Sequence, residues 1–244
     1  MRDNKKILIF CLLISSLLIS IGKASELFNF KIKEIQITQD GNLIKGFKGG
    51  EANTDDGISI KANYFEYDKS STVLKTEQNV RLEDNIRKIL INAEKISYLK
   101  NLEEIYADGN VKIDDLEKNI KIDAKKIFYS RLKDELIANG DVSIIDGNKK
   151  IRIFAEKILY DKKNQKIRAD TNVKLIDMNK NIELTTESIT YLHKDQKIFT
   201  NGSTEAEIFS KYNFKSDSLS YDINNMVLDS YEQTVLKDKT NFGK

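Results

Sequence analysis

Along most of the chain apolar and polar residues alternate with a period of two, and the alternating segments themselves recur. The octet Ile91-x-Ala93-x-x-Ile96-x-Tyr98 returns as Ile122-x-Ala124-x-x-Ile127-x-Tyr129 and as Ile153-x-Ala155-x-x-Ile158-x-Tyr160. Looser copies flank these: Ile60-x-Ala62-x-x-Phe65-x-Tyr67, Leu184-x-Thr186-x-x-Ile189-x-Tyr191 and Phe214-x-Ser216-x-x-Leu219-x-Tyr221. The closing tyrosines stand at 67, 98, 129, 160, 191 and 221, so the steps are 31, 31, 31, 31 and 30 residues. A fixed period of this kind denotes stacked supersecondary units that bury a shared core.

Each unit has a second half. Ile105-x-Ala107-x-Gly109-Asn110-Val111-x-Ile113 matches Leu136-x-Ala138-x-Gly140-Asp141-Val142-x-Ile144. Further copies are Ile167-x-Ala169-x-Thr171-Asn172-Val173-x-Leu175 and Leu74-x-Thr76-x-Gln78-Asn79-Val80-x-Leu82. Strict alternation predicts a half-buried strand. The polar segments between halves, such as Ser130 to Asp134 and Asp161 to Gln165, are short enough for hairpin turns. Every unit therefore reads as two antiparallel strands.

In the first half, Ile91 and Ala93 share one parity while Ile96 and Tyr98 share the other. Both pairs can face a core only if the strand bulges near Glu94-Lys95 and bends there. A bend at one level in every layer suits an all-β antiparallel jellyroll, two sheets wrapped around a shared interior. A right-handed parallel β-helix is the rival, but two strands of eight to ten residues per unit fit its shorter coils poorly. The chain contains no proline, and no helical apolar period continues for three turns after the first 24 residues. The organisation expected is a signal peptide at 1–24, capping strands at 25–57 with a strand at Glu34 to Ile37, and jellyroll repeats at 58–240.

The N-terminal segment changes the reading of composition. Arg2, Lys5 and Lys6 precede an uncharged, mostly apolar run from Ile7 to Ile21, and Gly22 and Ala24 stand at the −3 and −1 positions of a cleavage site. This is the pattern of a secretory signal, and the run is short for a bilayer span. The whole chain carries a formal charge of +2; cleavage after Ala24 leaves −1. Evenly mixed charge of that size offers no footprint for nucleic acid. Cys11, the single cysteine, leaves with the segment, so neither a disulfide nor a thiolate metal site is expected in the exported protein.

Catalytic constellations are missing, and no cofactor or metal is expected. His193 is the only histidine and reads as a solvated loop residue rather than a general base. Asp114, Asp146 and Asp177 recur at unit ends and could be taken for a calcium ladder, but aspartate at a strand end commonly starts a turn. The tyrosine column reads as a cross-strand aromatic ladder that stabilises the layers, with stacking on sugars as the alternative.

What remains is the interior. Its candidate inward-facing residues are Ile91, Ala93, Ile122, Ala124, Ile153 and Ala155 from the first strands. The second strands contribute Ile105, Ala107, Gly109, Val111, Leu136, Ala138, Gly140, Val142, Ile167, Ala169 and Val173. The small members could align into a trough between branched aliphatic walls, open to an apolar ligand, or could simply let the sheets approach closely.

The paired motifs I-x-A-x-x-I-x-Y and I-x-A-x-G-N-V-x-I-x-D resemble those of the periplasmic lipopolysaccharide-transport, OstA-like, jellyroll family, over Ile58 to about Leu236. The likeness is weakest at the C-terminal end, where Thr204 and Thr234 replace valine. The resemblance implies an exported, non-enzymatic periplasmic protein that shields lipopolysaccharide acyl chains. It also implies edge-strand pairing with other jellyrolls of a bridge leading to an outer-membrane translocon. Both the soluble bridge subunit and the N-terminal domain of the translocon subunit share this pattern. A structural, adhesin-like β-scaffold without lipid and a glycan-active β-helix enzyme are the readings from other classes. The enzyme would need groove-facing clusters of Asp, Glu and Arg, which the repeats lack.

Overall fold

The computed structural model describes residues 27–230 and 232–239, so the signal segment expected at 1–24 and the extreme C-terminus lie outside the described residues. The described residues form one antiparallel sheet of 18 strands, not the two sheets that the bend in each unit suggested, because each long strand runs through the bend and stays paired on both sides of it. The first five are β1 (Asn29–Thr38), β2 (Leu43–Asn53), β3 (Ile58–Ala62), β4 (Tyr64–Asp68) and β5 (Val73–Asp84). Seven long strands continue the sheet: β6 (Ile89–Leu99), β7 (Glu104–Asp115), β8 (Ile120–Ser130), β9 (Glu135–Asp146), β10 (Ile151–Asp161), β11 (Lys166–Asp177) and β12 (Ile182–Leu192). Shorter strands finish it: β13 (Lys197–Asn201), β14 (Thr204–Ile208), β15 (Tyr212–Ser216), β16 (Ser220–Asp222), β17 (Val227–Asp229) and β18 (Val235–Asp238).

Pairing follows the chain. From β5 to β12 each strand pairs with the next as a hairpin; before β5 one strand is split into β3 and β4 while β1 and β2 are unbroken, and after β12 the strands are split into shorter pieces that carry on the same meander. The long strands have 11 or 12 residues, longer than the alternation alone delimits.

Each long strand is bent in the middle. The bend coincides with a slip in register, for example where Asp108↔Lys126 gives way to Val111↔Ala124. The extra residue sits on the second strand of each unit, not at Glu94-Lys95 as the parity suggested. There two successive residues take left-handed backbone: Gln78-Asn79, Gly109-Asn110, Gly140-Asp141 and Thr171-Asn172. Only glycine and, next best, asparagine and aspartate adopt that region at small cost, which explains the residue choice in most copies. Glu94 and Lys95 both point to solvent, while Ala93 and Ile96 on either side are buried.

The bend folds the sheet in half, so both arms of every strand bury their apolar rows against each other in one continuous core from Phe28 to Ile223. Along one side runs the corner of bulged backbone. Along the other lie two columns of hairpin turns. Within a column, turns one unit apart are hydrogen-bonded, as in Leu116 N–H to Lys88 O and Gly147 N–H to Asn119 O, both 2.9 Å. Among the described residues no strand pairing joins one column to the other.

Candidate functional site

Fifteen of the expected inward residues are buried: Ile91, Ala93, Ile105, Ala107, Val111, Ile122, Ala124, Leu136, Ala138, Val142, Ile153, Ala155, Ile167, Ala169 and Val173. Gly109 and Gly140 are not part of the inward row. A Cβ on Gly109 would strike the side chain of Glu94, and one on Gly140 that of Lys125, both exposed residues on the outer side of the corner. Their role is backbone freedom at φ of +82° and +80°.

The alanines of successive units do not abut. Register gives the column Ile96–Ala107–Ile127–Ala138–Ile158–Ala169–Ile189, in which each alanine is flanked by isoleucine on both neighbouring strands. A second column pairs Val111 with Ala124, Val142 with Ala155 and Val173 with Thr186. Small against large fills each layer, so in this state the two arms interdigitate.

The tyrosines behave similarly. Tyr98, Tyr129, Tyr160 and Tyr191 alternate with Leu74, Ile105, Leu136, Ile167 and Ile198 across the strands, so they form no aromatic ladder. Their phenols instead cross the seam between the two turn columns. Tyr160 OH donates to Oδ2 of Asp115 at 2.9 Å, Tyr191 to Asp146 at 2.9 Å, and Tyr221 to Asp177 at 2.7 Å. Burial, reinforced by these carboxylates, holds all three phenols far above their ordinary pKa. Tyr129 is raised in the same way, by burial and then by Asp84.

The aspartates have two jobs, one for each oxygen. Oδ1 of Asp84, Asp115, Asp146 and Asp177 accepts backbone N–H groups two and three residues on, closing the turn. Oδ2 faces the seam. The period places Asp115, not Asp114, in this set: Asp114 is partly exposed and pairs with Lys121.

Two residues after the tyrosine stands a base, and it completes the stitch. Arg131 Nε donates to Asp84 Oδ2 at 2.8 Å. Lys162 Nζ lies 3.3 Å from Asp115 Oδ2 and 2.8 Å from Glu117. His193 Nε2 lies 3.1 Å from Asp146 Oδ2, near enough for an ion pair but turned away from a linear hydrogen bond. His193 is thus partly buried at the seam rather than a solvated loop residue. Burial would raise Asp146, but His193, the Lys149 N–H and Tyr191 together bring it below the ordinary carboxylate range.

Arg131 is the most elaborate rung and was not legible as buried in a segment that reads as a polar turn. Its side chain is 1% exposed. Nη1 donates to Asp56 at 2.6 Å and to Tyr98 OH at 3.0 Å, Nη2 to the Asp56 carbonyl at 3.1 Å, and Glu103 also contacts Nη1. Lys100 joins through Asp56 at 2.7 Å and through Glu103. Burial opposes the charge on Arg131, yet Asp84 and Asp56 hold its pKa above the usual value. The signal for this cluster was the recurrence Lys100, Arg131, Lys162, His193 at the repeat period, which matters only once the sheet is folded in half. Among the described residues no three His, Cys, Asp or Glu side chains are grouped to hold a metal.

The two ends of the core differ. At the N-terminal end Phe28 fills the interior, with its ring 4.9 Å from Tyr67 and 5.9 Å from Tyr98, both edge-on. The outer strands are apolar on exposed faces: Ile35 and Ile37 on β1, Val227 on β17, and Val235 and Leu236 on β18.

No family model matches the sequence, and no curated protein matches it. Among solved structures, the chain is similar to the crystal structure of LptH from Pseudomonas aeruginosa, described as the LptA homologous periplasmic component of the conserved lipopolysaccharide transport device. The likeness has a TM-score of 0.46 at 10% identity, and it covers 52% of this chain and 99% of that one. The antiparallel jellyroll stands on the register and core described above.

Proposed function

We propose that this protein is an exported, non-enzymatic carrier that shields the acyl chains of lipopolysaccharide between the two arms of its folded sheet and passes them toward the outer membrane. The observation that carries this reading is the construction of the seam. Among the described residues the hydrogen bonds and ion pairs that cross it all involve a side chain, so the arms can part without breaking a strand hydrogen bond. Parting exposes rows of Ile, Leu, Val and Ala, which an acyl chain covers as well as the opposite arm does. The repeat motifs that resemble the lipopolysaccharide-transport family support the choice of ligand.

Carriage over a distance needs contact with further jellyrolls and an outer-membrane partner. Among the described residues β1 pairs only with β2, β17 only with β16 and β18 only with β15, so one edge of each can serve that purpose. Proline at Ile35 removes a ladder donor from β1 and should lower head-to-tail association in sedimentation runs without unfolding the core. Unchanged association would exclude β1 as a docking edge.

A photo-crosslinking amino acid tests the carrier reading. Placed at Ile127 or Ala138, both inward, it should yield lipopolysaccharide adducts in cells; at Phe128, which packs on Tyr106 on the outer face with ring centroids 5.0 Å apart, it should not. Folded protein with no adduct at either inward site would reject the reading. The alternation of Ile and Ala through the core favours a second reading, a β-scaffold whose interior holds only its own side chains. The same experiment separates the two.

A further inference from the structure

The rungs of the seam weaken in one direction. Arg131 is a permanently charged fork that joins Asp84 and Asp56; Lys162 is a point charge shared between Asp115 and Glu117; His193 is a cation only when protonated. At the next rung the base is gone. Ile223 stands two residues after Tyr221, and Asp177 keeps only the phenol across the seam.

Two further features change along the same direction. The inward positions filled by Ala155, Ala169 and Val173 are Thr186, Thr200 and Thr204 one unit later. Their hydroxyls bond to one another, Thr186 to Thr204 at 2.9 Å and Thr204 to Thr200 at 2.8 Å, so the arms there interlock less through aliphatic packing. The strands also shorten, from 12 residues in β11 to 5 in β13 and 3 in β16, whereas the opposite end, though split into the 5-residue β3 and β4, finishes on β2 and β1 of 11 and 10 residues. The opposite end of the core is stoppered by Phe28.

We infer that the seam opens first at its C-terminal end, and that this is where an apolar chain passes into the interior, with His193 setting how readily the arms part. This rests on the carrier reading for what passes, but the opening itself is a property of the protein alone. Thr-lined layers and a rung without a cation make the arms easier to separate there. The Arg131 cluster keeps the N-terminal half shut while the C-terminal half moves.

Cysteine accessibility tests it without lipid. With Cys11 replaced by serine, single thiols are introduced as Ala107→Cys beneath the Arg131 rung and Ala169→Cys beneath the His193 rung. The parent alanines are 3% and 0% exposed, so resting burial does not favour either thiol. A small apolar maleimide should label Ala169→Cys about tenfold faster, the ratio expected when the seam is weaker there by roughly one hydrogen bond. Adding His193→Arg should bring that rate down to near the Ala107→Cys rate and leave the latter unchanged. Equal labelling of the two thiols, or indifference of Ala169→Cys to His193→Arg, overturns the inference. Lipid adducts at Ile127 report separately on the carrier. Adducts with equal labelling would reject the port and keep the carrier; unequal labelling without adducts would keep the seam and reject the carrier.

Discussion

The corner and the seam close the same core by opposite means. At the corner the two arms are one backbone, and pairs of left-handed residues turn every second strand through the bend. At the seam the arms are stitched by side chains, chiefly Tyr, Asp and a base. A backbone corner is set by conformation and cannot be undone without unfolding. A side-chain seam is set by hydrogen bonds and charge, and its strength varies rung by rung. The comparison shows how a continuous meander can have one rigid margin and one that is able to open.

The largest effect should come from the strongest rung. Arg131→Ala leaves the Asp84 carboxylate, whose side chain is 0% exposed, with only Arg87 at 3.6 Å and its two turn N–H groups, strips Asp56, Glu103 and Tyr98 of their shared guanidinium, and should cost about 3–5 kcal/mol in denaturant unfolding, as removal of one partner from a buried ion pair does. Lys162→Ala leaves Asp115 its tyrosine and should cost about 1–2 kcal/mol, with His193→Ala below it. A flat series would mean that the rungs are equivalent and would remove the direction from the seam.

The tyrosines give the seam an alkaline limit. Burial and the facing aspartates raise the folded pKa of Tyr129, Tyr160, Tyr191 and Tyr221 above the ordinary value of 10.0. Their contribution is complete below that value and is lost as the pH climbs beyond it, because the unfolded chain then sheds protons that the folded one retains. Melting temperatures should therefore fall from about pH 10 upward, and Tyr160→Phe should make the decline shallower. Lysine and arginine titration alone would leave the slope of that variant unchanged.

The corner should respond to backbone rather than to charge. Gly140→Ala forces a side chain into φ of +80° and a 2.9 Å approach to Lys125 Cδ, for a cost of about 1–2 kcal/mol. Asp141 beside it already adopts φ of +47°, and Asp141→Gly should be neutral or mildly stabilising in the same unfolding assay. The smallest effect is expected at Asp114→Asn, which loses only the exposed pair with Lys121 and should stay within about 0.5 kcal/mol of the parent. A large loss there would put the wrong aspartate of the Asp114-Asp115 pair in the seam.

Much of this architecture is written in the repeat. Period-two alternation names the strands, the 31-residue step aligns them, and the offset between Ala93 and Ile96 announces a bend in each unit. These are local or strictly periodic features, and the pleat converts them into faces without reference to the rest of the chain. The left-handed corner was half visible in Gly109-Asn110 and Gly140-Asp141, and hidden in Gln78-Asn79 and Thr171-Asn172, where residue type gives little notice of positive φ. The seam was visible only as columns. Tyr160 and Asp115 are 45 residues apart, and Arg131 and Asp84 are 47, a separation that is no multiple of the repeat. Such partners meet because the sheet is folded in half, and a charge with its counter-ion on the facing arm stays buried where the same residue alone would be in solvent. The alternation along the chain thus determined the strands and their inward rows. Whether the small residues would line a gap or be filled by isoleucine from the next strand was decided by register, which exists only between strands.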